Sequence, residues 1–332
     1  METPRYTPAA DRYDRASFCR AGNSGILLPR ISLGLWKNFG SDRPFDTARR
    51  IVETAFDHGI THFDLANNYG PPYGAAEETF GRILRTSLRP WRDELFIASK
   101  AGYDMWPGPY GNWGSRKYLM ASLDQSLRRM RLDYVDLFYS HRYDPHTPLD
   151  ETLQALVDIV RAGKALYVGL SRWPRQAAAY GYGYLAARDV PCLVYQGRLN
   201  LLDRAPETEG ITADTQERGI GFVSFSPLAQ GLLTERYLHS IPADSRMNRE
   251  ASLRPDVLTD ALRGRLMALN GLAQRRGNTL AQMALRWVLD RPGVTSVIVG
   301  ASSPEQLLDS LHSAECVPLD NEEIQAIEAI LA

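Results

Sequence analysis

From residue 31 onward, short apolar runs alternate with longer amphipathic stretches. The runs are ISLGLW (31–36), THFDLA (61–66), LFIASK (95–100), VDLFYSH (135–141), LYVGLS (166–171), CLVYQ (192–196), GFVSFS (221–226) and SVIVG (296–300). Most are rich in Val, Ile, Phe or Tyr, the composition of strands buried on both faces in a parallel sheet. The stretches between them repeat apolar residues at helical spacing. Residues 46–58 place Ala48, Ile51, Val52, Ala55 and Phe56 on one face and stop at Gly59. Residues 118–130 do the same with Leu119, Leu123 and Leu127, and residues 148–162 begin after Thr147 and end before Gly163.

Eight strands alternating with at least as many helices predict an α/β fold, a single closed (β/α)8 TIM barrel over residues 1–332. An open doubly wound sheet would carry a G-x-G-x-x-G turn after its first strand, and none follows Trp36. Two segments depart from the alternation. Residues 1–30 read as an irregular or hairpin lead-in. The long stretch between Ser226 and Gly300 must hold extra helices and a polar insertion, residues 238–255.

Composition narrows the function. With 44% hydrophobic and 23% charged residues in 332, the chain is an ordinary globular one. A net charge of −1 gives no electrostatic reason to expect nucleic acid or an anionic membrane as partner. No window reaches the roughly 18 apolar residues of a spanning helix, and residues 1–30 carry no apolar signal core. Three scattered cysteines suit a reduced, cytoplasmic protein. His58, His62, His141, His146, His239 and His312 show no paired ligand spacing and no C-x-x-C is present, so no metal is expected. No P-loop or nucleophile elbow occurs either.

In a barrel, chemistry comes from the carboxyl ends of the strands. Those ends carry Asp64, Lys100, His141, Ser171, Gln196, Ser226 and the Gly300-Ala301-Ser302 segment. Asp64 and Lys100, on neighbouring strands, should pair, because an unpaired buried charge is costly. Tyr69 lies in the NNYGPPYG loop and can fold back over the rim, where the lysine is expected to lower its pKa and make it a proton donor to a carbonyl oxygen. His141 could orient the same oxygen. Singly, each has a bland explanation: a structural ion pair, a loop aromatic, a satisfied histidine. Their register on consecutive strands favours a shared site.

The run FDLANNYG, then SK at the third strand and YSH at the fourth, resembles the aldo-keto reductases over residues 30–330. HFDLANNYGPPYGAAEE, KAGYDMWPGPYG, SRKYLMASLDQSLRRM and SPLAQGLL are similar to the branch that holds bacterial L-glyceraldehyde 3-phosphate reductases and potassium-channel β-subunits. The resemblance implies a catalytic tetrad of Asp64, Tyr69, Lys100 and His141, with Tyr69 as proton donor. It implies a nicotinamide cofactor, its carboxamide held by Ser171 and Gln196 and its ring stacked on Phe225, with Trp36 and Asp64 alongside. Ser226, Leu228, Gln230 and Gly231 would wrap the pyrophosphate, and Gly300, Ser302, Ser303, Gln306, Asp309 and Ser310 would meet the adenosine end, where a helix amino terminus suits phosphate.

Ser303 stands where relatives carry an arginine that grips the 2′-phosphate, Asp309-Ser310 where they carry Glu-Asn, and Glu235-Arg236 in LLTERY where they carry Gly-Lys. NADP(H) is expected, with Arg236, Arg246 and Arg249 as compensating cations and NAD(H) admissible. The substrate pocket is expected to draw on Trp36, Tyr69, Trp106, His141 and Arg142, with Tyr73, Met105 and Lys37 as further candidates at the rim. The substrate would be a small aldehyde, L-glyceraldehyde 3-phosphate or methylglyoxal, and relatives suggest a homotetramer or octamer. Two alternatives stand beside this reading. One is an aldolase forming a Schiff base on Lys100. The other is a redox-sensing, β-subunit-like protein that binds cofactor but turns over little; no long plug segment ahead of the barrel supports it.

Overall fold

The computed structural model describes residues 6–242, 245–249 and 253–332 of the chain, the side chains of residues 246 and 249 excepted. A small hairpin leads in, β1 (Phe18–Arg20) pairing antiparallel with β2 (Leu27–Pro29). Eight parallel strands follow: β3 (Ile31–Gly34), β4 (His62–Asp64), β5 (Phe96–Ala101), β6 (Val135–Ser140), β7 (Ala165–Ser171), β8 (Cys192–Arg198), β9 (Gly221–Phe225) and β10 (Val294–Val299). They close in sequence order, β10 pairing with β3, into the expected TIM barrel.

The helices between them form the outer layer. They are α1 (Phe45–Asp57), α2 (Ala75–Ile83), α3 (Arg116–Met130), α4 (Leu149–Arg161), α5 (Arg175–Ala186), α6 (Ala205–Thr208) and α7 (Ile211–Glu217). Beyond β9 come α8 (Arg246–Arg249), α9 (Asp260–Arg275), α10 (Leu280–Leu289), α11 (Pro304–His312) and α12 (Asn321–Leu331), so the long stretch before β10 does hold extra helices. The apolar face read for the first helix is the buried one, Ala48, Ile51, Val52, Ala55 and Phe56 all packing inward. Gly59, with φ of 77°, both permits the left-handed turn that ends α1 and leaves room for the lead-in, since a Cβ there would sit 2.3 Å from that of Ala16. Among the described residues no helix is long and apolar enough to cross a membrane.

The amino end of the barrel is closed from within. Ala21 and Leu28 of the hairpin join Leu137, Val194, Val223 and Ile298 in one apolar cluster. Above it lies a polar knot: Ser32 Oγ is 2.8 Å from His62 Nδ1 and 2.6 Å from Ser296 Oγ, which donates to the Pro29 carbonyl. Burial drives the His62 pKa down from 6.5 to about 4. Below pH 6.5 the unfolded chain therefore takes up a proton that the folded one refuses. The contribution is full above 6.5 and drains away as the pH falls toward 4. Urea unfolding should show wild type losing roughly 3 kcal/mol more than His62→Asn between those two pH values. Parallel curves would mean that His62 does not titrate this way.

Candidate active site

Lys100 rises from β5 into the barrel mouth with no solvent exposure. Its ammonium has three protons and spends each on one acceptor: Asp64 Oδ2 at 2.6 Å, the Leu65 carbonyl at 2.7 Å and the Tyr69 hydroxyl at 3.3 Å. The other oxygen of Asp64 accepts from Gln196 Nε2 at 2.9 Å. Because the phenolic oxygen accepts from the lysine, its own proton must point elsewhere. A lysine so engaged is also a poor amine nucleophile, which argues against the Schiff-base alternative.

Local contacts place Tyr69. Its amide donates to the Ala66 carbonyl and its carbonyl accepts from the Ala76 amide. The loop beyond is clamped to the exit of β3 by Ser41 N donating to the Pro71 carbonyl at 2.9 Å, and a Cβ on Gly40 would lie 2.3 Å from that same carbonyl oxygen. Tyr118 of α3 ties two rim loops together, accepting from Asn67 Nδ2 and donating to the Tyr103 carbonyl. His141 follows β6, its ring edge-on to Tyr69 at 5.9 Å and to Tyr103 at 4.7 Å.

Electrostatics fix the protonation states. Burial pushes His141 well below its usual range, and the charges of Lys100, Arg172 and Arg142 push the same way, so the ring is neutral. Its Nδ1 is buried without a hydrogen-bond partner. Tyr69 departs from expectation. Burial and the Asp64 carboxylate hold its pKa well above 10, not below. The lysine cannot lower it because its charge is already matched by Asp64 at 2.6 Å.

A cleft of about 360 Å³ runs from Asp64 and Tyr69 across the carboxyl rim to Ser302 and Gln306. Trp36, Phe225, Ser226, Leu228, Gln230 and Gly231 line its middle, together with Arg236 and Gly300. The loop after β9 reaches the cleft by leaving ordinary backbone space: Ser226, Ala229 and Gln230 all have positive φ. At its far end Ser303 caps α11, its Oγ accepting from Gln306 N. Ser171 Oγ lies buried and without a partner at the end of β7, in register with Gln196. Ser171, Gln196 and Ser303 do not themselves line the cleft, although Gln196 holds Asp64, which does; an orphaned hydroxyl in register with a side-chain amide, and a cleft that ends at a helix amino terminus, fit the amide and phosphate groups of a dinucleotide.

Several expected residues lie elsewhere. Asp309 is taken by Gln282 Nε2 at 2.7 Å, and Ser310 is buried, donating to the Gln306 carbonyl; neither lines the cleft. Trp106 packs its ring on Tyr118, 5.2 Å between centroids. Arg142 also stays out of the cleft, bound to the Gly102 carbonyl and Asn112 Oδ1. The Arg246 and Arg249 side chains fall outside the described residues. The sequence reading missed Asn38, Arg43, Thr234 and Tyr237, which line the cleft. Of these only Arg43, a cation soon after the first strand, carried a visible signal.

This barrel and rim belong to an oxidoreductase: residues 30–332 match the Aldo/keto reductase family, and the chain belongs to it. The chain is 51% identical to the L-glyceraldehyde 3-phosphate reductase of Escherichia coli O157:H7, over 97% of its own length and 94% of that protein's. The protein of the same name from Escherichia coli K12 is 50% identical over the same shares. A probable voltage-gated potassium channel subunit beta of Arabidopsis thaliana is 35% identical over 90% of this chain and 91% of that one.

Proposed function

We propose that this protein reduces small aldehydes, with L-glyceraldehyde 3-phosphate or methylglyoxal as substrate and NADP(H) as cofactor. The observation that carries the reading is the hydrogen-bond direction at Tyr69, whose oxygen accepts from Lys100 and whose proton is thereby turned toward the cleft. When bound, the reduced nicotinamide supplies the hydride that the carbonyl carbon receives. Neutral His141 donates to the substrate oxygen and orients it. As that oxygen becomes an alkoxide, a far stronger base than a phenolate, Tyr69 gives up its proton although its pKa is raised. Lys100 then faces the phenolate it already contacts. Asp64, held by Gln196, keeps the lysine charged and in place.

Trp36, Ser171, Gln196 and Phe225 would hold the nicotinamide end, and Ser226, Leu228, Gln230 and Gly231 the pyrophosphate. Gly300, Ser302 and Gln306 would meet the adenosine end. With Ser303 spent on capping a helix, the 2′-phosphate falls to Arg236 and Arg43. We place the protein in the cytoplasm, as one domain that assembles as a tetramer or octamer. The 35% identity to a channel subunit keeps a second reading in view, a cofactor sensor with little turnover.

Steady-state assays with NADPH and NADH against glyceraldehyde, methylglyoxal and L-glyceraldehyde 3-phosphate decide between them. Aldehyde-dependent oxidation of the cofactor is the expected result. Tight cofactor binding without turnover would shift the reading to the sensor. Ser303→Arg should raise the preference for NADPH over NADH about tenfold, the worth of one charge-assisted phosphate bond. No change would leave the 2′-phosphate with the cations across the cleft.

A further inference from the structure

We infer that Arg172, at the exit of β7, takes the phosphate of a phosphorylated aldehyde, with Arg142 as the second charge behind it. This rests on the reductase reading above and names the substrate class that the site selects. Arg172 directly follows Ser171 and holds φ at 55°, a left-handed conformation that side-chain-bearing residues adopt rarely and that recurs at binding sites. In that pose its amide donates to the Gln196 carbonyl at 3.3 Å, and its Nη1 donates to the Tyr103 hydroxyl at 2.8 Å. Tyr103 is the hub. Its ring meets the His141 ring edge-on at 4.7 Å, and the Arg142 guanidinium lies over it at 4.4 Å. Arg142 is fixed in turn by the Gly102 carbonyl and Asn112 Oδ1, both at 2.7 Å, and lies 3.6 Å over the Trp113 ring.

The partners of these two arginines are neutral, as are those of Arg30 and Arg263 elsewhere in the fold; what is particular to this pair is that both meet Tyr103, the neighbour of His141. Arg12, Arg92, Arg129 and Arg291 each hold a carboxylate within 3 Å. Among the described residues neither Arg142 nor Arg172 has one within ion-pair distance; carbonyl, amide and hydroxyl oxygens and aromatic faces hold them instead. Their charge is therefore aimed but not neutralised, and His141 feels both. Two positive charges suit a phosphate dianion, Arg172 as its direct partner and Arg142, whose Nε and Nη2 are already engaged, through its charge alone. The Tyr103 side chain bridges His141 and Arg172, its ring 4.7 Å from that of His141 and its hydroxyl 2.8 Å from Arg172 Nη1. Methylglyoxal has no anionic group to use this pair. Lys37 lies over Trp36 in the cofactor cleft and is the natural comparison.

The test compares kcat/KM for L-glyceraldehyde 3-phosphate and for L-glyceraldehyde in wild type, Arg172→Gln and Lys37→Gln. The ratio of the two is expected to fall about 10- to 100-fold in Arg172→Gln, and the inhibition constant of glycerol 3-phosphate against glyceraldehyde to rise by a similar factor. An unchanged ratio in Arg172→Gln overturns the assignment. So does an equal fall for both aldehydes, or a ratio that collapses only in Lys37→Gln. A wild type that reduces neither aldehyde overturns the reductase reading instead. Calorimetric titration with glycerol 3-phosphate then still decides Arg172: binding lost in Arg172→Gln upholds the site, and equal binding removes it.

Discussion

Tyr69→Phe is expected to lower kcat for aldehyde reduction by about 10²–10⁴-fold, the usual worth of a positioned general acid. Cofactor affinity should barely move, because the ring, not the hydroxyl, makes the tilted contact with Trp36 at 6.5 Å and the edge contact with His141. The substitution removes one acceptor from the Lys100 ammonium but leaves two, Asp64 and the Leu65 carbonyl. Some stability is lost with it, on the order of 1–3 kcal/mol for a buried donor left without a partner. A fluorescence titration of reduced cofactor, a melting curve and a single-turnover rate separate these contributions. If the rate is unchanged in a folded, cofactor-loaded variant, the proton comes from another group.

The barrel was legible because burial on both faces leaves a strand no alternation, only a continuous apolar run, and the runs found by that rule coincide with β3 to β10. Their ends were less so. β10 starts at Val294, two residues before the run read from Ser296, because the polar Thr295 belongs to it. Ser296 is tolerated there because Ser32 and the Pro29 carbonyl satisfy its hydroxyl. The Asp64–Lys100 pair could be read from neighbouring strands alone. The pKa of Tyr69 could not, because the lysine is visible in the sequence while the burial and the matched carboxylate are properties of the fold. Loop side chains were legible least. Arg142 and Trp106 turn away from the cleft through contacts with Asn112 and Tyr118, and Arg172 finds Tyr103 across 69 positions of chain. Nothing in local spacing signals such pairings. Asp309 shows the same limit, being claimed by Gln282 from the preceding helix.

Lys100→Met should be the most damaging change in the site, in stability as well as rate. The lysine side chain is fully buried and Asp64 is 2% exposed, so deleting the cation strands a carboxylate in the barrel with Gln196 as its remaining side-chain donor. Breaking a buried pair by removing one partner costs about 3–5 kcal/mol, since the attraction is lost and the desolvation is not. Turnover should fall on the order of 10²–10⁴-fold, because the phenolate left by proton transfer no longer faces a cation. Adding Asp64→Leu to Lys100→Met removes the stranded charge, and replacing a whole buried pair by apolar residues is often neutral or stabilising. Urea unfolding should therefore recover most of the lost stability in the double variant while its rate stays low. Recovery of both would make the pair a packing element with no part in the chemistry. Recovery of neither would mean that Asp64 and Lys100 are not coupled, despite the 2.6 Å between them. Stability restored without activity is the outcome that assigns the charge on Lys100 to the reaction and the charge on Asp64 to keeping it there.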